Sequence, residues 1–182
     1  MSKITEAQVE KIKSYVRAIP DFPEPGIIFR DVTTVIKDPE GFRLAIDGML
    51  TLIEDIDFDV VVAAEARGFV FGGPIAYERG KSLELARKKG KLPAETISET
   101  YDLEYGTATL ELHKDAIKPG DRVIIVDDLI ATGGTVEATA KMVERLGGEV
   151  AGFVFLMELK GLEGRKRLSK YNVMSVIAYE GK

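Results

Sequence analysis

Cysteine and tryptophan are absent from the 182-residue chain, and histidine occurs once, as His113. Without cysteine the chain can form neither a disulfide framework nor a thiolate metal site, which favours a cytoplasmic location. The chain also lacks an apolar stretch of membrane-spanning length and an N-terminal signal-peptide pattern, so we expect no membrane partner. The single histidine has no serine or cysteine arrangement around it, and we assign it no catalytic role.

An excess of positive charge is missing as well. The 25 lysine and arginine residues are outnumbered by 30 aspartate and glutamate residues, which gives a formal net charge of −5. Surfaces that bind nucleic acid are usually basic, so nucleic acid is not an expected partner. Hydrophobic residues make up 45% of the chain and charged residues 30%, as in ordinary globular proteins, and the length predicts a single domain over residues 1–182.

Helical and strand-like segments alternate along the chain. Thr5 and Gln8 form a capping-box pattern, and we expect the first helix to continue until Pro20. A second helix should begin at Asp38-Pro39, with proline at its first position. Short apolar runs predict strands at 59–64, 83–87, 122–127, 150–156 and 173–178. This alternation predicts an α/β fold with a central, mainly parallel sheet and helices on both faces.

The segment 123–135 carries more information than any other part of the chain. Its apolar start predicts a buried strand, and Asp127 and Asp128, the acid pair, follow at the carboxyl end, where open α/β sheets bind ligands. A small turn then leads into an amphipathic helix, whose N-terminal N–H groups attract a phosphate. Because like charges repel, we expect the acid pair to bind sugar hydroxyls and not the phosphate. The order of apolar run, acid pair and small turn predicts a binding site for a ribose 5-phosphate. Its phosphate loop is formed by Ala131, Thr132, Gly133, Gly134 and Thr135.

The alternative interpretation of this segment is an ordinary strand-to-helix loop with solvated acids. That interpretation leaves the fixed order of apolar run, acid pair, threonines and glycines unexplained. Two other phosphate loops are excluded, because the sequence contains no G-x-x-x-x-G-K-[ST] and no G-x-G-x-x-G that opens a helix after a strand.

The segment 123–135 resembles the phosphoribosyl-diphosphate (PRPP) motif of type I phosphoribosyltransferases. Further segments, in the family's order, make the chain similar to the adenine phosphoribosyltransferases from about residue 4 to residue 179; these are 22–33, 65–69, 87–93 and 101–106. The resemblance implies transfer of the 5-phosphoribosyl group from PRPP to adenine, giving AMP and pyrophosphate. It also implies a base-binding hood over residues 1–36 and a flexible catalytic flap over residues 95–109.

By the same resemblance, Phe29 stacks on adenine while the backbone groups of Ile28 and Arg30 bind the edge of the base, and Leu129 covers its other face. A backbone amide matches the donor and acceptor of adenine, whereas a 6-oxopurine presents the reversed pattern and would leave buried groups unpaired. The residues alone leave a second interpretation open, in which Ile27, Ile28 and Phe29 fill the local core.

The resemblance assigns Arg67 to the pyrophosphate of PRPP, for which a planar, permanently charged fork is suited. A salt bridge to the adjacent Glu65 is the structural alternative. Arg87, Lys88, Lys89 and Lys91 form a basic cluster, for which a solvated surface is the structural alternative. Related enzymes pass this loop across a dimer interface to the neighbouring pyrophosphate, and the resemblance assigns Arg87, Lys88 and Lys91 to that role. A homodimer is therefore implied.

The polar flap contains Glu104, the family's candidate for proton transfer at the base, and Tyr101 and Tyr105, either of which could close over the site. Glu104 could instead be one more solvated acid. With the acid pair and Arg67 it completes the expected catalytic set. Mg²⁺ is the expected cofactor, bridging pyrophosphate and ribose oxygens, and we predict no direct protein ligand because substrate and water should hold it.

Two rival functions stay open. One is a phosphoribosyltransferase for hypoxanthine, guanine or xanthine, against which the hood segment argues. The other is a PRPP-binding regulator without catalysis. Such regulators usually carry an added DNA-binding domain or a basic surface, and this acidic 182-residue chain has no spare length for the former.

Overall fold

The computed structural model describes residues 4–102 and 106–181, which form a seven-stranded sheet, a separate two-stranded hairpin and flanking helices. In chain order the elements are α1 (Glu6–Tyr15), β1 (Arg17–Pro20), β2 (Ile28–Asp31), α2 (Thr33–Lys37), α3 (Pro39–Leu52), β3 (Val60–Ala64), α4 (Gly68–Arg79), β4 (Ser82–Lys88), β5 (Thr96–Asp102), β6 (Thr107–His113), β7 (Arg122–Ile130), α5 (Gly134–Arg145), β8 (Glu149–Leu159), a 3₁₀ turn (Lys160–Leu162), α6 (Gly164–Arg167) and β9 (Val173–Tyr179).

The main sheet has the strand order β5-β6-β4-β3-β7-β8-β9. Strands β4, β3, β7, β8 and β9 are parallel, and β6 and β5 extend the sheet as an antiparallel hairpin on β4. The predicted α/β fold with a mainly parallel sheet is confirmed. Because the carboxyl ends of parallel strands meet at one edge, the turn after β3, the loop after β4 and the end of β7 lie along the same edge.

Each face of the sheet buries its own apolar core. Val123 and Ile125 of β7 belong to the core beneath α5, whereas Ile124 and Val126 belong to the core beneath α3 and α4. Successive side chains of a strand point to opposite faces, so a strand covered on both sides must be apolar throughout. This requirement explains the continuous apolar runs that predicted β3 and β7.

The first helix is shorter than predicted. The capping box at Thr5 and Gln8 is present, but α1 ends at Tyr15 and Val16 has an extended backbone. Pro20 therefore does not end the helix; it lies in β1, where it pairs with Ile28 of β2. Pairing with β1 likewise makes residues 28–31, which follow a proline-rich segment, a strand.

Other predicted boundaries hold more closely. Helix α3 begins after Asp38, whose carboxylate accepts hydrogen bonds from the backbone N–H groups of Glu40 and Gly41 at 2.9 Å each. The expected flap is a regular β-hairpin, paired from Thr96 with His113 to Asp102 with Thr107. Its flexibility stays a prediction, and residues 103–105 lie outside the described part of the chain. Across residues 4–102 and 106–181, no helix combines the length and apolarity that a membrane crossing requires.

Candidate active site

The acid pair lies inside strand β7 and not after its end. Pairing of β7 with β8 continues to Ile130, three positions further than the predicted strand boundary. On the other side, pairing with β3 stops at Val126. Asp127 and Asp128 therefore lie just beyond the last β3 pair, beside the turn that follows β3, and this position brings the acid pair and Arg67 together.

Arg67 and Asp128 form an ion pair, with Nε of Arg67 2.5 Å from Oδ2 of Asp128. The Asp128 side chain is 6% exposed and the Arg67 side chain 51%, so a buried carboxylate is held by a cation that faces solvent. The predicted alternative, a salt bridge from Arg67 to Glu65, is not formed. Glu65 instead accepts hydrogen bonds from Nε of Arg87 at 3.3 Å and from the backbone N–H of Lys88 at 2.8 Å.

Burial and neighbouring charges shift the pKa of both Asp127 and Arg67. Burial, and then the neighbouring charge of Asp128, raise the pKa of the Asp127 carboxyl well above its usual value. Burial lowers the pKa of Arg67, but the carboxylates of Asp128, Asp127 and Asp31 more than offset it, and the pKa is raised overall. The site thus combines a carboxyl that resists ionisation with a permanently charged guanidinium.

Gly68 allows α4 to begin directly against β7. A Cβ atom at this position would lie 2.8 Å from the carbonyl oxygen of Val126 and 3.0 Å from Oδ1 of Asp127. The turn before it contains a cis peptide bond between Glu65 and Ala66. The close approach of helix and strand was not predicted, because it depends on the distance between two segments far apart in sequence.

The predicted phosphate loop encloses a cavity of ≈ 80 Å³, lined by Asp127 and by residues 129–136. Gly133 has φ +81°, a conformation that favours glycine, and α5 begins at the next residue. The loop therefore ends at a helix N-terminus, as the sequence predicts. The hydroxyl of Thr135 donates a hydrogen bond to Oη of Tyr101 at 3.2 Å, which brings the flap hairpin onto the loop.

A segment that the sequence reasoning missed supports this loop from the other side. A Cβ atom on Gly164 would lie 2.3 Å from the carbonyl oxygen of Ala131, and one on Gly133 would lie 3.1 Å from the carbonyl oxygen of Gly164. Arg167 follows in α6, with Nη1 3.0 Å from the position of a Gly134 Cβ. The only sequence signal was a glycine within a basic stretch, which does not indicate a contact with the loop.

The hood hairpin presents its bulky side chains to the surface. Ile28 is 40% exposed and Phe22 50% exposed, while the rings of Phe22 and Phe29 contact edge to face at 5.3 Å between centroids. The interpretation that residues 27–29 fill the local core is therefore wrong for Ile28. At the end of β2, Asp31 is bound by Arg17 and by the hydroxyl and N–H of Thr33.

These contacts, above all the Thr33 hydroxyl and then the Arg17 guanidinium, lower the pKa of Asp31 to about 2. Asp31 also lies close enough to Arg67 for its charge to raise the pKa of that guanidinium. The end of the hood strand is therefore within electrostatic reach of the group predicted to bind pyrophosphate.

Arg87 and Lys88 of the predicted basic loop are the last residues of strand β4, where they pair with β6, and only Lys91 lies in the turn that follows. Hydrogen bonds to neighbouring groups hold this turn. Nη1 of Arg87 donates to the carbonyl oxygen of Lys91 at 3.2 Å, and the N–H of Gly90 donates to Glu111 at 2.8 Å. Lys88 and Lys91 are exposed. The structure thus gives the loop a defined shape at the edge where Arg67 and the acid pair lie.

Of three further predicted residues, the structure describes one. Leu129 is partly buried against the core beneath α3 and α4, and its place over a base stays a prediction. Glu104 and Tyr105 lie outside the described residues. Among residues 4–102 and 106–181, no group of three or more His, Asp or Glu side chains could hold a metal ion, and metal binding through substrate oxygens stays a prediction.

Comparison with known proteins extends these observations. Residues 32–180 match the family model described as "Phosphoribosyl transferase domain". The adenine phosphoribosyltransferase of Butyrivibrio fibrisolvens is 63% identical over 96% of this chain and 96% of its own length, and that of Agathobacter rectalis is 61% identical over 96% and 100%.

Solved structures agree with these relatives. The crystal structure of adenine phosphoribosyltransferase from Thermoanaerobacter pseudethanolicus has a TM-score of 0.91 and 53% identity, covering 94% of this chain and 99% of that one. The Saccharomyces cerevisiae enzyme, complexed with an imino-altritol bisphosphate and adenine, has a TM-score of 0.88 and 36% identity, covering 94% and 99%. On the strength of a matching family model, close relatives and a shared fold, the chain belongs to the adenine phosphoribosyltransferase family.

Proposed function

We propose that the chain transfers the 5-phosphoribosyl group of PRPP to adenine at the carboxyl edge of its sheet, giving AMP and pyrophosphate. The observation that carries this placement is the junction at β7, where the Arg67–Asp128 ion pair and the phosphate loop adjoin one strand end. A substrate with a 5-phosphate, ribose hydroxyls and a pyrophosphate presents complementary groups in the same order.

The ribose 5-phosphate is bound by the phosphate loop and the acid pair. Ala131, Thr132, Gly133, Gly134 and Thr135 supply backbone N–H groups and hydroxyls at the start of α5 for the phosphate. Asp127 and Asp128 accept hydrogen bonds from the ribose hydroxyls. As the bond from C1′ to the leaving oxygen lengthens, the ring gains positive charge, and nearby carboxylates stabilise that charge.

Pyrophosphate is bound by Arg67, whose guanidinium is half exposed beside the acid pair and keeps its charge. Arg87, Lys88 and Lys91 add positive charge at the same edge. A homodimer in which this basic loop serves the neighbouring site is part of the proposal. Exposed apolar side chains on the elements before the loop support it, namely Tyr77 on α4, 87% exposed, and Leu83 on β4, 37% exposed.

Adenine lies in the hood, with Phe29 stacked on one face and Leu129 on the other. The Ile28 side chain is exposed at the rim of the hairpin, so it does not fill the local core. Backbone groups of Ile28 and Arg30 then read the donor and acceptor edge of the base. Glu104 is the proposed group for proton transfer at the base.

Mg²⁺ suits the donor chemistry of this site. The acid pair supplies the oxygen atoms that hard cations prefer, but Asp128 is already engaged by Arg67, so PRPP oxygens and water provide most of the coordination. When bound, the metal neutralises charge on the leaving pyrophosphate. A cytoplasmic location completes the proposal, supported by the absence of cysteine.

The decisive experiment measures AMP formation from PRPP and Mg²⁺ with adenine, hypoxanthine, guanine and xanthine in turn. Asp127→Asn is compared with the unmodified protein, and Asp55→Asn, at an exposed position after α3, is the matched control. We expect turnover with adenine alone and a loss of about 10- to 100-fold in Asp127→Asn, as for a charged hydrogen bond to substrate. Asp55→Asn should keep full activity.

Other outcomes would change the proposal in specific ways. Turnover with a 6-oxopurine would contradict the proposal that backbone groups of the hood select adenine. PRPP binding without turnover of any base would favour a regulator. Full activity in Asp127→Asn would remove Asp127 from the proposed ribose site.

A further inference from the structure

We propose that Tyr179 is a positioning residue for the base, acting through Arg30 to fix the hood strand β2 against the main sheet. This inference rests on the proposed role of β2 in binding adenine. Tyr179 is the last residue of β9 and lies outside every segment to which the sequence assigned a function.

The contact between the two side chains is close and well formed. The guanidinium carbon of Arg30 lies 4.1 Å from the centroid of the Tyr179 ring, within the distance of about 6 Å that defines a cation–π contact. Both side chains are partly buried, and β9 holds Tyr179 in register with Leu159 of β8. The position of the Tyr179 ring is therefore set by the pairing of β9 in the main sheet.

Among the described residues, backbone pairing does not attach the hood strand β2 to the main sheet, and Val32, directly after β2, is buried in the core beneath α3 and α4. In the described part of the chain, β2 pairs with β1 alone, and the two form a sheet separate from the main one. The contacts of Asp31 lead to Arg17 and Thr33, which belong to the same N-terminal segment. The Arg30 side chain, by contrast, leaves the hairpin and reaches the edge strand of the main sheet.

The environment of Tyr179 favours this contact. Burial raises the pKa of the Tyr179 hydroxyl, the positive charge of Arg30 lowers it, and the carboxylate of Glu10 on α1 raises it; the pKa is raised overall. The ring is thus partly removed from water at the point where a cation rests on its face. Cation–π contacts are stronger when the partners are desolvated.

A change in this contact should act on the base and not on PRPP. Backbone groups at Ile28 and Arg30 read adenine only if β2 keeps its orientation, and small displacements of positioned groups are costly. The acid pair belongs to β7, which is held by its pairing with β3 and β8, and the phosphate loop follows it.

The test is steady-state kinetics of Tyr179→Leu, Tyr179→Phe, Arg30→Met and the double variant Tyr179→Leu/Arg30→Met. We expect Tyr179→Leu to raise the KM for adenine about tenfold, within the range that a partly desolvated cation–π contact supports, while the KM for PRPP and kcat change less than about twofold. Tyr179→Phe keeps the ring face and should retain the adenine KM. The double variant should be no worse than either single variant, since both remove one contact.

The outcomes separate this inference from the proposed function. If the unmodified protein forms no AMP from adenine, the proposed function fails. If it forms AMP and Tyr179→Leu keeps the adenine KM, raises both KM values alike, or loses kcat together with melting temperature, the positioning role is overturned. Equal defects in Tyr179→Phe and Tyr179→Leu would also overturn it, because the ring face would then not be the active feature.

Discussion

Arg67 and Asp128 are joined by an ion pair of 2.5 Å, in which a nearly buried carboxylate holds a half-exposed guanidinium. The two residues have been assigned to different parts of PRPP, the pyrophosphate and the ribose. Because of this contact, the positive charge of the proposed pyrophosphate subsite and the negative charge of the proposed ribose subsite already interact before substrate binds. The pair joins Nε of Arg67 to Oδ2 of Asp128, so the Nη groups of Arg67 and the other carboxylate oxygen of Asp128 can contact PRPP while the ion pair persists.

Arg67→Lys should weaken PRPP binding selectively. Lysine keeps the charge but loses the planar fork that can face Asp128 and a phosphoryl group together. We expect the KM for PRPP to rise about tenfold, as for one lost charged hydrogen bond, with the adenine KM nearly unchanged. Initial-rate kinetics with each substrate varied would measure this, with Arg43→Lys, exposed on α3, as the control. An unchanged PRPP KM in Arg67→Lys would argue against the pyrophosphate assignment.

Asp127→Asn should make the protein more stable at neutral pH while reducing its activity. The folded-state pKa of Asp127 is raised by burial and by Asp128, so the folded state holds this proton more tightly than the unfolded state. Between the unfolded and the folded pKa, the free energy of unfolding must then fall as pH rises. Asparagine carries no charge to desolvate and removes this decline.

Urea unfolding of the unmodified protein and of Asp127→Asn across pH 4 to 8 would check the prediction. The advantage of the variant should grow with pH from the unfolded-state pKa of Asp127 up to its raised folded-state pKa, and then level off. A constant difference between the two proteins would show that Asp127 is not the group responsible.

Gly164→Ala should damage the phosphate loop from outside the motif. The new methyl group would lie 2.3 Å from the carbonyl oxygen of Ala131, so backbone must move. We expect a loss of about 1–3 kcal/mol in stability, as for an overpacked site, and a higher KM for PRPP. Gly181→Ala is the matched control, because a Cβ there meets nothing within 4 Å. Thermal melting and PRPP titration would measure both effects, and equal behaviour of the two variants would contradict the packing argument.

Asp31→Asn should lower stability at neutral pH but not in strong acid. The pKa of Asp31 is lowered from 3.8 to about 2 by Thr33 and Arg17, so the ionised carboxylate stabilises the fold above about pH 4 and loses this effect as pH falls through about 2. Because Arg17 is mostly exposed, we expect a modest cost of about 1–2 kcal/mol at pH 7.

Denaturant midpoints measured between pH 7 and pH 2 would test the role of Asp31. The difference between the unmodified protein and Asp31→Asn should narrow towards the acid end. Asp47→Asn, at an exposed position of α3, serves as the control and should show no such trend. A difference that persists at pH 2 would point to packing and not to charge.

Much of the fold could be predicted because the signals for it are local. The apolar run before Asp127, the glycines of the phosphate loop and the Asp38-Pro39 helix start each act within a few residues, and the structure contains all three features. The predicted end of α1 was wrong for a different reason. Pairing between Ile19 and Phe29 turns residues 17–20 into a strand, and no local signal reports a partner in a separate segment.

The sequence by itself determined the order of the chemistry, from acid pair to phosphate loop, because that order is written along one strand, one turn and one helix. Tertiary structure alone decided that Arg67 pairs with Asp128 and not with Glu65, that Gly164 packs on Ala131, and that Arg30 rests on Tyr179. Each of these contacts joins segments far apart in the chain. Their distances follow from how strands and helices pack in three dimensions, which residue spacing does not encode.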